Sequence, residues 1–298
     1  MLVGNNISEF VKQITSEKES REIMKIDSHI HITPPDIIRD FKKIGEKEPY
    51  FRLLSETPHN RFATYEQVTA HLQENDFDKG VVFGFGFQDM GLCRYVNDYT
   101  MEAVRQNPDR LIGFMVLPVR HPDMAQEIRR CYEGGLRGVG ELFPEGQKMD
   151  LVTLHQTHFK NYLQEYRLPL LLHTNETVGH VYAGKTKVTM KEVETFLYHH
   201  QELPIILAHF GGGLLFFELM KEIRTAFANV YYDTAAAVFL YDKAIYRVIR
   251  EIGILDKILF ATDYPLLPIS RYQESLAELN DQERTKVLGT NAAKVLGL

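Results

Sequence analysis

The sequence lacks the features that mark several protein classes. Tryptophan is absent, and the 298 residues include only two cysteines, Cys93 and Cys131, neither of them in a CxxC pair. So few cysteines exclude a disulfide-stapled mini-protein, and we predict two reduced thiols in a cytoplasmic protein. No apolar run approaches the roughly 18 residues of a membrane-spanning helix. Residues 1–23 also lack the basic start and apolar stretch of a signal peptide.

An excess of basic charge is missing as well. The 34 Lys and Arg residues are outnumbered by 40 Asp and Glu residues, which gives a net charge of −6. This balance disfavours binding to nucleic acid or to an anionic membrane, and we expect neither partner. With 44% hydrophobic and 25% charged residues, the composition is that of an ordinary globular protein and excludes intrinsic disorder.

What the chain does contain is one type of segment that occurs eight times. Each copy is a short apolar run, rich in β-branched or aromatic residues, that is followed by a helical stretch. The runs occupy residues 24–32, 80–86, 110–118, 136–142, 168–174, 203–209, 229–235 and 257–263. They are nearly continuous rather than alternating, which is typical of parallel strands covered on both faces.

The stretches between the runs carry helix-start signals. Capping-box spacing occurs at Thr64–Gln67, Thr189–Glu192 and Ser270–Gln273, and Pro122 suits a first helical turn. Eight strand-helix units in succession predict an α/β fold of the (β/α)8 TIM-barrel type. A doubly wound open sheet is the alternative.

Two stretches lie outside this repeat. Residues 1–23 are predicted to form an extra N-terminal helix, and residues 33–63 form a long, charged loop after the first strand. Insertions of that length often serve as lids or substrate loops. Because no linker or low-complexity tract interrupts the chain, we predict a single domain over residues 1–298.

Histidines and carboxylates lie at the ends of the predicted strands. His29 and His31 stand two residues apart on the first strand and therefore face the same side. The remaining members of the set are Glu141, His173, His209 and Asp263, at the ends of the fourth, fifth, sixth and eighth runs. Each alone is a weak signal, since a single strand-end histidine is more often a hydrogen-bonded core residue. Together they predict a site for a divalent metal at the carboxyl-terminal mouth of the barrel.

These strand ends also resemble a known family. The segments IDSHIHI, RGVGEL, LLLHTNETVGH, IILAHFGGG, NVYYDTAA, ILFATDYP and GTNAAKVLGL are similar to those of the amidohydrolase superfamily, in its amidohydrolase-related branch with the aminocarboxymuconate-semialdehyde-decarboxylase-like enzymes. The resemblance covers residues 24–298. It implies a (β/α)8 barrel of the metal-dependent hydrolase type, with His29, His31, His173 and Asp263 as metal ligands. It also implies that His209 is a second-metal ligand or a proton-transfer residue.

The metal-binding residue on the fourth strand differs between members of this superfamily. Many hydrolases carry there a lysine that becomes carboxylated and bridges two metals, but this chain has Glu141 at the strand end instead. Some related deoxyribonucleases use a bridging glutamate, whereas the decarboxylase-like members usually manage with one metal and no such glutamate. We therefore expect a metal-dependent hydrolase of a small molecule with an amide, ester or lactone bond.

In this hydrolase, a metal-activated water would attack the substrate, with Asp263 as general base and His209 as the second catalytic residue. The alternative is a metal-dependent, non-oxidative decarboxylase of a small carboxylate, aromatic carboxylates included. A deoxyribonuclease and a non-catalytic scaffold are two further hypotheses. The mixed nitrogen and oxygen ligands favour one or two zinc ions, although manganese, iron or nickel would also fit.

The segment after the fifth strand supplies candidate substrate ligands. Glu176, His180, Tyr182 and Lys185 follow His173 in a polar loop above the expected site. We expect a small-molecule substrate to bind there. Because dimers are common in the family, the resemblance also implies a homodimer.

Overall fold

In the computed structural model, which describes residues 24–58 and 60–298, eight parallel strands surround a buried core. The N-terminal helix predicted over residues 1–23 lies outside the described residues. The strands are β1 Ile26–His31, β2 Lys79–Phe83, β3 Leu111–Gly113, β4 Val139–Leu142, β5 Leu170–Leu172, β6 Ile205–Leu207, β7 Val230–Asp233 and β8 Ile258–Leu259. Each lies within its predicted run, except that β2 begins one residue earlier.

Helices connect the strands and cover the outside of the ring. They are α1 Pro35–Lys47, α2 Pro49–Ser55, α3 Tyr65–Glu74, α4 Met90–Gln106, α5 Met124–Glu133, α6 Phe159–Glu165, α7 Met190–His199, α8 Lys221–Ala226, α9 Ala237–Leu240, α10 Ile245–Ile252, α11 Gln273–Leu276, α12 Asp281–Thr285 and α13 Asn291–Leu296. Segments of 3₁₀ type occupy Leu154–Gln156, His209–Leu219, Leu255–Lys257 and Ile269–Tyr272, and a π-turn occupies Lys286–Thr290.

The strands pair in chain order, β1 to β3 in one sheet and β4 to β8 in another. Single parallel bridges join these sheets at both edges, Met115 with Val139 and Ile30 with Tyr264. These links confirm the predicted α/β barrel and exclude the open sheet, whose outer edges would be far apart. The carboxyl ends of all eight strands therefore meet at one mouth.

Two of the helix-start predictions are wrong. The capping boxes at Thr64 and Thr189 are present, but Ser270 lies within a 3₁₀ turn and caps no helix. Pro122 precedes the first turn of α5, whose N-cap position is Asp123.

The segment 33–63 is not a simple loop, because it folds into α1 and α2. It bends between them at Glu48, whose carboxylate accepts hydrogen bonds from the backbone N–H groups of Gln88 and Asp89. This contact holds the segment beside the strand ends. None of the helices in residues 24–58 and 60–298 combines the length and apolar character that crossing a membrane requires.

Candidate metal centre and substrate cavity

The first group of donor atoms lies where β1, β4 and β8 end. Nε2 of His29 is 3.4 Å from Oε2 of Glu141 and 3.6 Å from Oδ1 of Asp263. Nε2 of His31 is 3.5 Å and 3.4 Å from the same two oxygens. The four side chains, which we call the first donor cluster, thus converge on one point.

These separations suit a bound cation better than direct hydrogen bonds. Two ligands about 2.1 Å from one ion, at the tetrahedral angle, lie roughly 3.4 Å apart, which is longer than most N–H···O contacts. Nε2 of His29 is buried and has no hydrogen-bond partner among the described residues. The donor set therefore fits a divalent metal ion, whose usual ligands are imidazole nitrogens and carboxylate oxygens.

A second group of donors, the second donor cluster, lies on the other side of Glu141. Oε1 of Glu141 is 3.0 Å from Nδ1 of His173 and 3.6 Å from Nε2 of His209. The two imidazole nitrogens are 3.2 Å apart. The six sequence-predicted metal residues thus come together as two clusters that share one carboxylate.

The pKa values of Glu141 and His209 show that the site stabilises positive charge next to its buried carboxylate. Burial opposes ionisation of Glu141, but His29 and His173 outweigh it and hold the pKa of this carboxyl well below its usual range. Burial also opposes a charged His209, yet Glu141 raises the pKa of His209 to about 9. A divalent cation would supply the charge that protons otherwise provide.

Asp233, at the end of β7, lies outside the two donor clusters and holds one member of each in position. Its Oδ2 accepts a hydrogen bond of 2.8 Å from Nδ1 of His29. Its Oδ1 accepts from the backbone N–H groups of His209 and Ala235. The first contact leaves the Nε2 lone pair of His29 directed into the first donor cluster, the usual arrangement of a carboxylate behind a metal-bound imidazole.

The backbone has unusual geometry at Gly140, His209 and Asp263. A Cβ atom on Gly140 would lie 2.2 Å from the carbonyl oxygen of Leu171, so only glycine lets β4 approach β5 closely enough to place Glu141. His209 and Asp263 both have left-handed backbone conformations, with φ of 58° and 62°. Such strain in non-glycine residues concentrates at functional sites.

A cavity of about 400 Å³ opens onto both donor clusters. Its walls include four aromatic rings, those of Phe85, Phe143, Tyr182 and Phe239. The ring of Phe85 stacks on His31 and that of Phe143 stacks on His173. The cavity is of small-molecule size and bordered by apolar, flat surfaces at its metal end.

The four predicted substrate residues divide into two pairs. His180 and Tyr182 line the cavity. Glu176 does not line it, but its Oε2 accepts a hydrogen bond of 2.8 Å from the Tyr182 hydroxyl. Lys185 also lies outside the lining, because its ammonium group donates to the carbonyls of residues 178–180 in its own loop. The structure thus brings two of the four residues to the cavity.

Sequence reasoning missed part of the cavity wall. Arg61, from the segment after β1, is the only Lys or Arg among the lining residues that the structure describes. Phe85 and Phe143 follow β2 and β4 and stack on metal-site imidazoles. Their position just beyond strand ends was the available signal for the two phenylalanines, whereas nothing in the local pattern distinguishes Arg61 from other charged residues in its segment.

Known proteins share this architecture. The amidohydrolase family model matches residues 26–298. Gamma-resorcylate decarboxylase of Rhizobium radiobacter is 26% identical over 251 residues, which cover 70% of this chain and 76% of that protein. The 2-amino-3-carboxymuconate-6-semialdehyde decarboxylase of Dictyostelium discoideum is 27% identical over 268 residues, covering 73% and 70%.

A solved structure supports the same fold. The 5-carboxyvanillate decarboxylase of Novosphingobium aromaticivorans, complexed with manganese and 4-hydroxy-3-methoxy-5-nitrobenzoic acid, superposes with a TM-score of 0.68. It is 17% identical, and the match covers 94% of this chain and 97% of that one. The donor clusters themselves support a site for a divalent metal, although not for zinc in particular.

The predicted hydrolase is wrong, because the named relatives are decarboxylases and match the alternative instead. The error came from treating Glu141 as a marker of hydrolysis. A carboxylate at the end of β4 changes the number of metal ligands, but it does not determine which bond of the substrate is broken. The predicted branch of the superfamily is confirmed.

Proposed function

Because the chain belongs to the amidohydrolase family, we propose that it is a metal-dependent, non-oxidative decarboxylase of a small, hydroxylated aromatic carboxylate. The observation that carries this proposal is the aromatic-walled cavity that opens onto the donor clusters. The rings of Phe85 and Phe143, each stacked on a histidine of the donor clusters, border the metal end and suit a flat substrate. The decarboxylase relatives support the same reaction class.

The metal would be held by His29, His31, Asp263 and Glu141, with His173 and His209 completing the donor set. When bound, a divalent ion would attract the substrate's carboxylate and neighbouring hydroxyl oxygens and stabilise negative charge on them. Manganese and zinc both suit this mixture of nitrogen and oxygen donors, and we propose one of these two.

Asp263 is the acidic group best placed to move a proton. Its side chain is 14% exposed, whereas those of Glu141 and Asp233 are 1% and 0% exposed. Burial opposes its ionisation, but the neighbouring imidazole of His31 outweighs burial and lowers the pKa of Asp263, so it is a carboxylate able to accept a proton. It would take the proton of the substrate hydroxyl and deliver it to the ring carbon that loses CO₂.

Other residues of the cavity wall would contact the rest of the substrate. Arg61 has a guanidinium group whose Nη1 donates to the carbonyls of Pro58 and Asn60. The other N–H groups of this guanidinium can donate to an electron-rich substituent of the substrate. We propose that His180 and Tyr182 contact the substrate, that Glu176 fixes the Tyr182 ring, and that Lys185 maintains the shape of the loop.

The test is CO₂ release from a panel of hydroxybenzoates by metal-free protein and by protein reloaded with manganese or zinc. We expect release only from reloaded protein, and only from compounds with a hydroxyl beside the carboxylate. Asp263→Asn, assayed at metal concentrations that saturate its weakened site, should lose about 10²–10⁴-fold in rate, which is the usual contribution of a proton-transfer group. Hydrolysis of ester or amide analogues without CO₂ release would contradict the proposal.

The cellular setting remains a prediction. Cys93 and Cys131 are both buried, unpaired thiols, which supports a reducing compartment such as the cytoplasm. The homodimer implied by the family resemblance also stays a prediction.

A further inference from the structure

We propose that Gln147 is a positioning residue that holds Phe85 and Phe143, two aromatic walls of the cavity, at a spacing that selects a flat ring over a puckered one. Gln147 lies in the turn after β4, is only 8% exposed and does not itself line the cavity. This inference rests on the proposed function, which supplies the flat aromatic substrate, and concerns how the cavity recognises it.

The side-chain amide of Gln147 joins three connections at the mouth of the barrel. Its Nε2 donates at 3.1 Å to the carbonyl oxygens of Phe87 and Leu117, which follow β2 and β3. Its Oε1 accepts at 3.0 Å from the backbone N–H of Phe143, which follows β4. Because a carbonyl only accepts and an N–H only donates, this orientation of the amide is the one that satisfies all three groups.

Two of these connections carry the rings at the metal end of the cavity. Phe143 is held directly by Gln147, and Phe85 lies two residues before one of the carbonyls that Gln147 binds. Phe85 stacks on His31 with the ring centroids 4.8 Å apart, and Phe143 stacks on His173 at 4.2 Å. The amide of Gln147 therefore fixes the segments of both rings relative to each other.

Close packing at Gly86 fixes the same spacing. A Cβ atom there would lie 2.7 Å from Oε1 of Gln147, closer than side chains tolerate, so only glycine lets the segment of Phe85 approach this amide. Nε2 of Gln88 also donates at 2.8 Å to the carbonyl of Gly146, which gives the two segments a second link. Changes at Gly86 or Gln147 should therefore alter the spacing of the rings without separating the segments.

Wall spacing can distinguish a planar ring from a saturated ring with the same substituents. A planar ring contacts an aromatic wall over its whole face, whereas a puckered ring is thicker and makes fewer close contacts. Walls that are held in place cannot shift to admit the thicker ring. This selection suits the proposed reaction, because delivering a proton to a ring carbon requires an unsaturated ring.

Ligand binding to manganese-loaded protein tests the proposal. Benzoate and cyclohexanecarboxylate are a planar and a puckered carboxylate, and neither carries the hydroxyl that the proposed reaction requires. Calorimetry gives the Kd of each. We expect the wild type to prefer benzoate, and Gln147→Ala and Gly86→Ala each to reduce this preference by about 10-fold, the low end of the effect of an altered pocket contact.

Two controls separate this effect from a general loss of structure. Manganese affinity should stay that of the wild type in both variants, because neither Gln147 nor Gly86 forms a hydrogen bond with a described member of the donor clusters. Gln164→Ala changes an exposed glutamine on α6 and should keep the wild-type preference for benzoate. Gly86→Ala retains the amide of Gln147 and decides the question if Gln147→Ala does not fold.

The double variant shows whether both changes act on one contact. With Gly86→Ala and Gln147→Ala combined, the new Cβ atom no longer meets the glutamine side chain. The preference for benzoate should therefore fall no further than in Gln147→Ala alone. Losses that multiply in the double variant would mean that the two residues act separately, which contradicts the proposed spacing contact.

The outcomes also distinguish this proposal from the proposed function. An unchanged preference for benzoate in both single variants, with manganese-dependent CO₂ release from hydroxybenzoates intact, would overturn the role of Gln147 and keep the decarboxylase. A wild type that binds both carboxylates equally would overturn that role as well. A preference that falls in both variants, in a protein that releases CO₂ from no hydroxybenzoate, would support Gln147 as a positioning residue and overturn the decarboxylase.

Discussion

At the scale of single residues, Asp233 illustrates how a side chain outside the donor clusters governs the metal site. It is fully buried and is not among the residues that line the cavity. One of its oxygens fixes the ring of His29 through Nδ1, and the other anchors the backbone N–H of His209. A single carboxylate thus positions one member of each cluster.

Replacing Asp233 with Asn should weaken metal binding while the fold survives. The Asn oxygen can still accept from the His209 backbone, but its NH₂ group would donate to Nδ1 of His29. That would force the proton of His29 onto Nε2, the atom directed at the metal. We expect about a 10–100-fold loss of metal affinity, the usual cost of losing such a partner, measured by titration of metal-free protein with Mn²⁺.

The exposed Asp242 provides a matched control for this change. Its Oδ1 accepts only from the backbone N–H of Ala244 near the start of α10. Asp242→Asn should leave manganese affinity unchanged. If both variants bind manganese as tightly as the wild type, Asp233 does not set the tautomer of His29.

The sequence was enough to locate the metal site, but it did not show that the six donors form two clusters. Strand-end position alone placed all six donors at one mouth, because parallel strands end on one side of a barrel. It could not show that His173 and His209 face one oxygen of Glu141 while His29 and His31 face the other. That division depends on χ angles and on carbonyls such as Gly184, which are set by tertiary contacts.

At the scale of elements, the start of α7 depends on a local capping box. The Thr189 hydroxyl accepts from the backbone N–H of Glu192, and the Glu192 carboxylate accepts from the backbone N–H of Thr189. Ser270 has the same spacing to Gln273, yet the structure makes no cap there. Residues 264–268 contain two prolines and lead into a 3₁₀ turn, so the chain enters this region in a different direction.

Thr189→Ala should therefore destabilise the protein and Ser270→Ala should not. The first change removes a cap that satisfies a free N–H of the first helical turn, which usually costs about 1 kcal/mol. The second removes an exposed hydroxyl with no capping partner, for which we expect less than about 0.5 kcal/mol. Urea unfolding of both variants measures the difference, and equal losses would show that the cap at α7 contributes nothing.

At the scale of the whole molecule, the barrel depends on how β8 meets β1. β8 is only two residues long, but the chain after it pairs with β1 through three backbone hydrogen bonds, from Ser28 to Phe260, from Asp263 to His29 and from His31 to Tyr264. Asp27 of β1 reinforces this junction. Its Oδ2 accepts from the Thr262 hydroxyl at 2.5 Å, and its Oδ1 accepts from the backbone N–H groups of Thr262 and His29. A buried side chain thus adds to the backbone hydrogen bonds of this junction.

This junction could not be predicted from the sequence. The pattern of apolar runs gave eight strands and hence a closed ring, because each run is separate and continuous. It could not show that β8 would be so short, since residues 257–263 read as one run. The polar contacts between Asp27 and Thr262 that reinforce the junction join residues 235 positions apart.

Thr262→Val should weaken the junction in a way that depends on pH. Burial raises the pKa of Asp27 to about 7, although the Thr262 hydroxyl lowers it. Because the pKa in the folded chain exceeds the unfolded value of 3.8, ionising Asp27 costs stability as pH rises from about 4 through 7. Removing the hydroxyl raises this pKa further. The variant should thus lose about 1–3 kcal/mol relative to the wild type above pH 7 and less at pH 5.

Urea unfolding at a series of pH values measures this effect. Thr225→Val is the matched control, because the hydroxyl of Thr225 bonds only to the carbonyl of Lys221 within an exposed helix. Its stability relative to the wild type should not change with pH, since no titrating group accepts its hydrogen bond. A Thr262→Val deficit that is the same at pH 5 and above pH 7 would mean that Asp27 keeps one protonation state over this range, and that the junction depends on packing rather than on the charge of this carboxyl.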